Sequence, residues 1–303
     1  MSNAETLELS LGDLVKLQGE ARRIRLPSVR GRARRDPGQR PSPFHGRGLS
    51  FTEHRVYQPG DDVRHIDWRV TARHNEPHTK CFEEERERPL LLVMDLTPSL
   101  IFSSGSAVKS HRALEAAAIL MWLGLSQGDR VGAIMASPSG IESFRPARRR
   151  QRGLQILHGL VHHHNGLLNH RGSDSSRLDE TLTEAVRILK QGGRVVLIGD
   201  FLHTGGNTAT LVRALSSHNS VMALRVCDPL DLTPPPPGRY GLMSDQGPLW
   251  VNAANPQFRS QLSRRLEDHD LMLNQMFVRA GSHYFRHRTD SSLRPLLANM
   301  AAG

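Results

Sequence analysis

Two short stretches concentrate oxygen ligands in a chain whose charge is otherwise dominated by arginine. The first, YQPGDDVRHIDW (57–68), sets Asp61, Asp62 and Asp67 among Arg64, His65 and Trp68. Carboxylates at that density could hold a metal ion for hydrolysis or work as an acid and a base. The second, MDLTPS (94–99), places Asp95, Thr97 and Ser99 two residues apart, and LIGDF (197–201) carries Asp200. Two aspartates and two hydroxyls form an all-oxygen donor set. Hard divalent cations, Mg2+ above all, take such sets and keep open positions for water or for a partner's carboxylate. Each stretch also has a plainer reading. Aspartates and hydroxyls at strand-to-helix turns often cap the helix that follows. In the first stretch Pro59-Gly60 makes a turn, and adjacent residues of an extended strand face opposite ways, so Asp61 and Asp62 share an ion only if the chain bends sharply. A clamp is the preferred reading there over catalysis: Arg55, Arg64 and Arg73 hold Asp61, Asp62 and Asp67, with Trp68 as apolar anchor, fixing the block against the main domain.

The elements that must position these groups follow from the apolar rhythm. Continuous apolar runs at 89–96, 130–136, 194–201, 220–228 and, less apolar, 282–288 alternate with helical patterns around 107–126, 150–163, 177–191, 206–217, 256–279 and 291–301. Strands buried on both faces between crossover helices mean an α/β fold, a doubly wound and mostly parallel sheet. Such sheets bind ligands beyond the carboxyl ends of their strands, where strand order reverses. Both MDLTPS and LIGDF end at that edge. Ahead of the sheet, Leu7 to Arg23 has the spacing of an amphipathic helix, and 46–88 mixes short β-like stretches around the Pro-Gly turn. After PPPP at 234–237, a hairpin turning at Gln246-Gly247 is expected within 233–254. The expected organisation is an N-terminal helix and basic arm (1–45), a β-rich block (46–88) and the α/β domain (89–303).

With 303 residues, 38% of them hydrophobic, the chain can fill a proper core. Its two cysteines, Cys81 and Cys227, offer no disulfide framework and no CxxC metal site, which points to a reducing compartment. The first residues do not resemble a signal peptide, and the longest apolar run, 116–125, is half of what spans a bilayer. The expectation is a soluble, cytoplasmic protein. The net charge of +10 is uneven. Arginines crowd 21–40, including Arg22, Arg23 and Arg25, and again RPARRRQR (145–152), with Arg148, Arg149 and Arg150. Such patches attract polyanions, and a merely solvated face explains them equally well. No aromatic interleaving, zinc finger or recognition helix accompanies them, which argues against nucleic acid. His158 and His162 stand four apart on a predicted helix, beside His163 and His164, a spacing that can hold Zn2+. They lack the glutamate of HExxH and are expected to be solvent-exposed or weakly metal-binding. Lys109 in GSAVKS lacks the GxxxxGK[ST] spacing of a phosphate loop, so the chain is not read as an ATPase.

DLTPS resembles the metal-ion-dependent adhesion site of von Willebrand factor A domains, Asp-x-Ser-x-Ser, which is completed by a threonine and an aspartate from later loops. Thr97 stands in for the first serine, Ser99 matches the second, and Asp200 sits where the later aspartate belongs. Reading SSRLDETL in the family's register puts Ser176 at the threonine position, with Ser175 as alternative; a serine lacks threonine's stiff β-branched rotamer. A longer stretch, GRGLSFTEHRVYQPGDDVRHIDWRVTARHNEPHTKCFEEERERPLLLVMDLTPSL, resembles the hallmark block of the bacterial family called domain of unknown function 58. Arg55, Y-x-P-G-D-D-x-R-x-I-D-W, Thr71-Ala72-Arg73 and Glu83-Glu84-Glu85 carry it. The resemblance implies a von Willebrand A-like domain after the block, with a Mg2+ site at Asp95, Thr97, Ser99, Ser176 and Asp200. It also implies a non-enzymatic adaptor that works with a MoxR-type AAA+ ATPase, or that ATPase's client, in assembly or maturation. Many relatives carry transmembrane segments, so a soluble form is implied here. Two alternatives come from other classes: a metal-dependent phosphoester hydrolase using Asp61, Asp62 and Asp67, and a nucleic-acid binder using the arginine arm.

Overall fold

The alternation of apolar runs and helical patterns folds into a six-stranded sheet covered by helices on both faces. A computed structural model of the chain describes residues 7–24, 49–74, 76–84, 89–105, 107–170, 176–244 and 247–302. It divides into two compact units, Met1–Val29 with Arg88–Gly303, and Arg30–Glu87. Most of the basic arm, with Arg25, lies outside the described residues.

The chain opens with α1 (Leu11–Lys16) and α2 (Gln18–Ala21), so the single helix expected over 7–23 is two short ones meeting at Leu17. Ser10 and Asp13 cap α1 reciprocally. These helices belong to the larger unit rather than to a separate arm, because Leu14 and Ala21 are buried in its core. The smaller unit holds β1 (Leu49–Val56), α3 (Trp68–His74) and β2 (His78–Glu84), with β1 and β2 antiparallel. The helix α3 was not expected in a block read as β-rich.

The larger unit continues with β3 (Leu90–Asp95), α4 (Lys109–Ser126), β4 (Val131–Ser137), β5 (Gly140–Ala147), α5 (Arg150–Leu168) and α6 (Leu178–Ile188). Then come β6 (Arg194–Gly199), α7 (Thr208–Ser216), β7 (Ser220–Cys227), the hairpin β8 (Arg239–Ser244) and β9 (Gly247–Asn252), α8 (Pro256–Arg279), β10 (His283–Arg288) and α9 (Leu293–Ala302). Sheet order is β10-β7-β6-β3-β4-β5, parallel throughout except for β5, which runs antiparallel to β4. The edge strand β5 was not foreseen. Its sequence, GIESFRPA, is only half-buried and lacks the continuous apolar run that marks the inner strands. The hairpin β8-β9 falls where expected, and Gly247 takes a positive φ of 111° in its turn.

Side chains of β3 alternate between two cores. Leu90, Leu92 and Met94 pack with residues of α1, α2, α4, α5 and α9, while Leu91 and Val93 pack with α6, α7 and α8. Each fully buried leucine contributes about 2 kcal/mol. The helix after β3 lies in the first layer and the helix after the neighbouring β6 lies in the second. The chain thus leaves adjacent strands in opposite directions, which opens a crevice at their carboxyl ends. Among the described residues no helix is long and apolar enough to cross a membrane.

Candidate functional site

That crevice gathers the residues picked from MDLTPS and LIGDF. Asp95 ends β3, and Leu96 continues the ladder by one bond, its N–H donating to the Ala136 carbonyl at 2.8 Å. Thr97 and Ser99 follow in a loop tightened by a 3-10 turn at Pro98–Leu100. Asp200 follows the last residue of β6, and Ser176 lies just ahead of α6, where its Oγ accepts from the Leu178 N–H at 3.1 Å. Two hydrogen-bonded groups result. The Ser176 hydroxyl donates to Asp95 Oδ2 at 2.7 Å. Thr97 Oγ1 lies 2.8 Å from Ser99 Oγ, which donates to Asp200 Oδ2 at 2.7 Å. Asp95, Thr97 and Asp200 are buried; Ser99 and Ser176 are half-buried. Ser175 lies outside the described residues.

Burial pushes the Asp95 carboxyl up to about 6, and the charge of Asp200 adds to the rise, against the hydrogen bonds from Ser176 and the Arg177 backbone. Beside Asp200 stands a residue that sequence reasoning set aside. Lys109, the first residue of α4, is 1% exposed, and its Nζ lies 3.0 Å from Asp200 Oδ2 and 3.0 Å from Asp231 Oδ2. Burial acts to lower the ammonium, but the two carboxylates outweigh it and hold it above the ordinary lysine value. Asp231 comes from the loop after β7, where it and Asp228 form a reciprocal cap; Asp228, fully buried, also accepts from the Ser104 N–H at 2.8 Å and from the Ser104 hydroxyl.

The strand end carrying Asp200 is held from behind. Arg225 on β7, 1% exposed, donates from Nε to the Asp200 carbonyl at 3.2 Å and from a terminal nitrogen to Asp270 of α8 at 2.8 Å. Phe201 has φ of +52°, a left-handed conformation costly for an aromatic residue, and its buried ring meets Phe277 at 5.1 Å. Neither Asp231 nor Arg225 carried a motif. The available signal was a lysine at the head of an apolar helix just beyond DLTPS.

The donor chemistry of Asp95, Thr97, Ser99, Ser176 and Asp200 fits a hard divalent cation, since every candidate atom is oxygen; contacts of 2.7–2.8 Å join them into two groups, Ser176 with Asp95, and Thr97 with Ser99 and Asp200. Lys109 is the feature such a set does not require.

The carboxylates of the 57–68 block each face different partners. Asp61 pairs with Arg55 at 2.7 Å and accepts from the Gln58 N–H at 3.0 Å. Asp62 caps a 3-10 turn and meets Arg64 at 3.2 Å. Asp67 was expected to meet Arg64 or Arg73. It meets His54 at 3.0 Å and Lys80 at 3.3 Å instead, and accepts from backbone N–H groups at the start of α3, so its carboxyl is held well below the usual range, by the His54 bond first. Trp68, the first residue of α3, is 71% exposed and not packed as an anchor. Among the described residues no group of three or more His, Cys, Asp or Glu side chains is placed to hold a metal.

The histidines divide. His158 and His162 are exposed on α5, but His163 and His164 are buried, which corrects the expectation of exposure for those two. His163 Nδ1 meets the Ser137 hydroxyl at 2.7 Å, and His164 Nε2 lies 2.9 Å from the Leu7 carbonyl. Arg22, Arg23, Arg148, Arg149 and Arg150 are exposed. Cys227 is buried and its thiol is pushed up to about 12 by that burial, so it is chemically quiet.

Among solved structures, the chain is similar to the conserved hypothetical protein BatB from Bacteroides thetaiotaomicron (13% identity, TM-score 0.45, covering 70% of this chain and 96% of that one). It is also similar to the VWA domain of SpRpn10 (9% identity, TM-score 0.40, covering 70% and 94%). The uncharacterized protein Mb1516 of Mycobacterium bovis is 30% identical over 246 residues, 81% of this chain and 76% of that protein. The model of the family described as protein of unknown function DUF58 matches residues 53–271, and the chain belongs to that family.

Proposed function

We propose that the chain is a non-enzymatic protein-interaction protein whose Asp95, Thr97, Ser99, Ser176 and Asp200 hold a divalent cation, Mg2+ by preference, on which a partner's acidic side chain docks. The observation that carries this reading is the pair of hydroxyl-to-carboxylate groups at the β3–β6 crevice, Ser176 on Asp95 and Thr97–Ser99 on Asp200, with contacts of 2.7–2.8 Å. When bound, the cation supplies open coordination positions for a partner carboxylate. The chain's own part is to orient: Ser176 fixes the Asp95 carboxylate, Ser99 fixes that of Asp200, and Arg225 anchors the strand end behind it. The family resemblance favours a MoxR-type AAA+ ATPase or its client as the partner. The separate engagements of Asp61, Asp62 and Asp67 leave the phosphoester-hydrolase alternative without support.

The test is a pull-down of a MoxR-type ATPase from the same organism by the full chain, with Mg2+ or with EDTA, repeated with Asp95→Ala. Retention is expected with Mg2+ alone, and Asp95→Ala is expected to lose it. Retention that ignores both EDTA and the substitution refutes cation-dependent docking.

A further inference from the structure

The buried ammonium of Lys109 has no role in the docking reading, and its placement runs against the local energetics. A lysine as the first residue of an 18-residue helix puts a positive charge at the positive end of the helix dipole. Burying that charge adds a desolvation cost, recovered only through close carboxylates. Here those are Asp200 Oδ2 and Asp231 Oδ2, both at 3.0 Å. The identity of the cation matters too. Of the chain's 40 lysines and arginines, four are lysines, Lys16, Lys80, Lys109 and Lys190. An arginine would present a planar fork of donors, whereas the compact ammonium is a point charge of the kind a metal ion replaces. It shares Asp200 Oδ2 with the Ser99 hydroxyl, inside the oxygen set itself.

We infer that Lys109 is the resident cation of this site: it neutralises Asp200 in the absence of a divalent ion, competes with that ion for the same carboxylate, and is retained by Asp231 when displaced. This rests on the cation-docking reading above and adds to it a control on affinity. A positive charge this close to a bound divalent ion disfavours it, and in a largely buried setting one unit charge changes affinity by about tenfold or more. Asp231 sets the balance. By sharing the ammonium it weakens the hold of Lys109 on Asp200 and so leaves that carboxylate more available to a divalent ion.

The experiment is Mn2+ titration by calorimetry, with Mn2+ as the probe for Mg2+, on the full chain and on Lys109→Met, Asp231→Asn and Asp95→Ala, with folding checked by thermal unfolding in EDTA. Lys109→Met is expected to bind Mn2+ about tenfold tighter or more. Asp231→Asn, which leaves the ammonium wholly to Asp200, is expected to bind several-fold weaker than the parent chain. If Asp95→Ala abolishes binding while Lys109→Met binds no tighter than the parent, the site holds a cation but Lys109 does not compete for it, and the inference is overturned alone. If no protein that folds binds Mn2+ at all, the inference and the docking reading fail together. Should Lys109→Met not fold, Asp231→Asn decides by itself: affinity equal to or above the parent's overturns the competition.

Discussion

Asp95 shows at the scale of one residue how the site departs from what stability alone favours. Its carboxyl titrates near 6 in the folded chain, against an ordinary 3.8, because burial and the neighbouring Asp200 both disfavour its charge. Between those values the folded state keeps a proton that the unfolded state has lost, so stability falls as pH rises from about 4 to about 6. Above that range both states are ionised and the full cost, about 3 kcal/mol, is present. Asp95→Asn keeps an acceptor for Ser176 and removes the charge. In EDTA it should raise stability by 2 to 3 kcal/mol, roughly, at pH 7.5, with the gain shrinking toward zero near pH 4, as read from urea midpoints. A gain that does not change with pH would mean that packing, not charge, separates the two proteins. Asp95, Thr97, Ser99 and Asp200 were legible in the sequence because an apolar run fixes where a strand ends and so which residues stand at its edge. Lys109 was not, because a lysine at the head of a helix reads as a solvated end. Its partner Asp231 lies more than a hundred residues away in sequence, in the loop after β7, and only the fold brings that carboxylate to 3.0 Å from the ammonium.

At the scale of elements, the site depends on β6 and β7 ending in register and staying there. Arg225 ties the Asp200 carbonyl to α8 through Asp270, which also accepts from Tyr284 at 2.9 Å and Arg286 at 2.6 Å. Removing the arginine leaves a carbonyl and a partly buried carboxylate short of a donor. Arg225→Met should therefore cost about 3 kcal/mol, the low end for a broken buried pair because two donors to Asp270 remain. Arg225→Lys should lose much of the same stability, since an ammonium does not bridge both acceptors as the guanidinium fork does. A shift in urea midpoint worth less than about 0.5 kcal/mol in both would show that β7 needs no such tie. The inner strands were readable because burial on both faces demands continuous apolar runs. The edge strand β5 and the helix α3 were not, since a half-exposed strand and a two-turn helix in a polar block leave little periodicity to detect.

At the scale of the whole molecule, the question is whether the excess positive charge, +10 overall, acts on the site or apart from it. The sheet register answers it for the 145–152 cluster. Ala147 pairs with Val131 at the amino end of β4, while Asp95 pairs with Ala136 at the carboxyl end. Five residues of strand separate the two levels, about 17 Å. That is about twice the screening length at physiological salt, so charges there act weakly on the crevice. Arg150 and Arg152 are further occupied in lying over the rings of Trp122 and Phe144, at 5.9 Å each. Replacing Arg148, Arg149 and Arg150 together by alanine should therefore leave Mn2+ affinity within about twofold of the parent chain at 0.15 M salt. The same variant should elute earlier from an immobilised polyanion, with a shallower dependence on salt, because fewer counterions are released on binding. A several-fold rise in Mn2+ affinity in that variant would mean that the field of the whole molecule, rather than the single ammonium of Lys109, sets how tightly the crevice holds a cation.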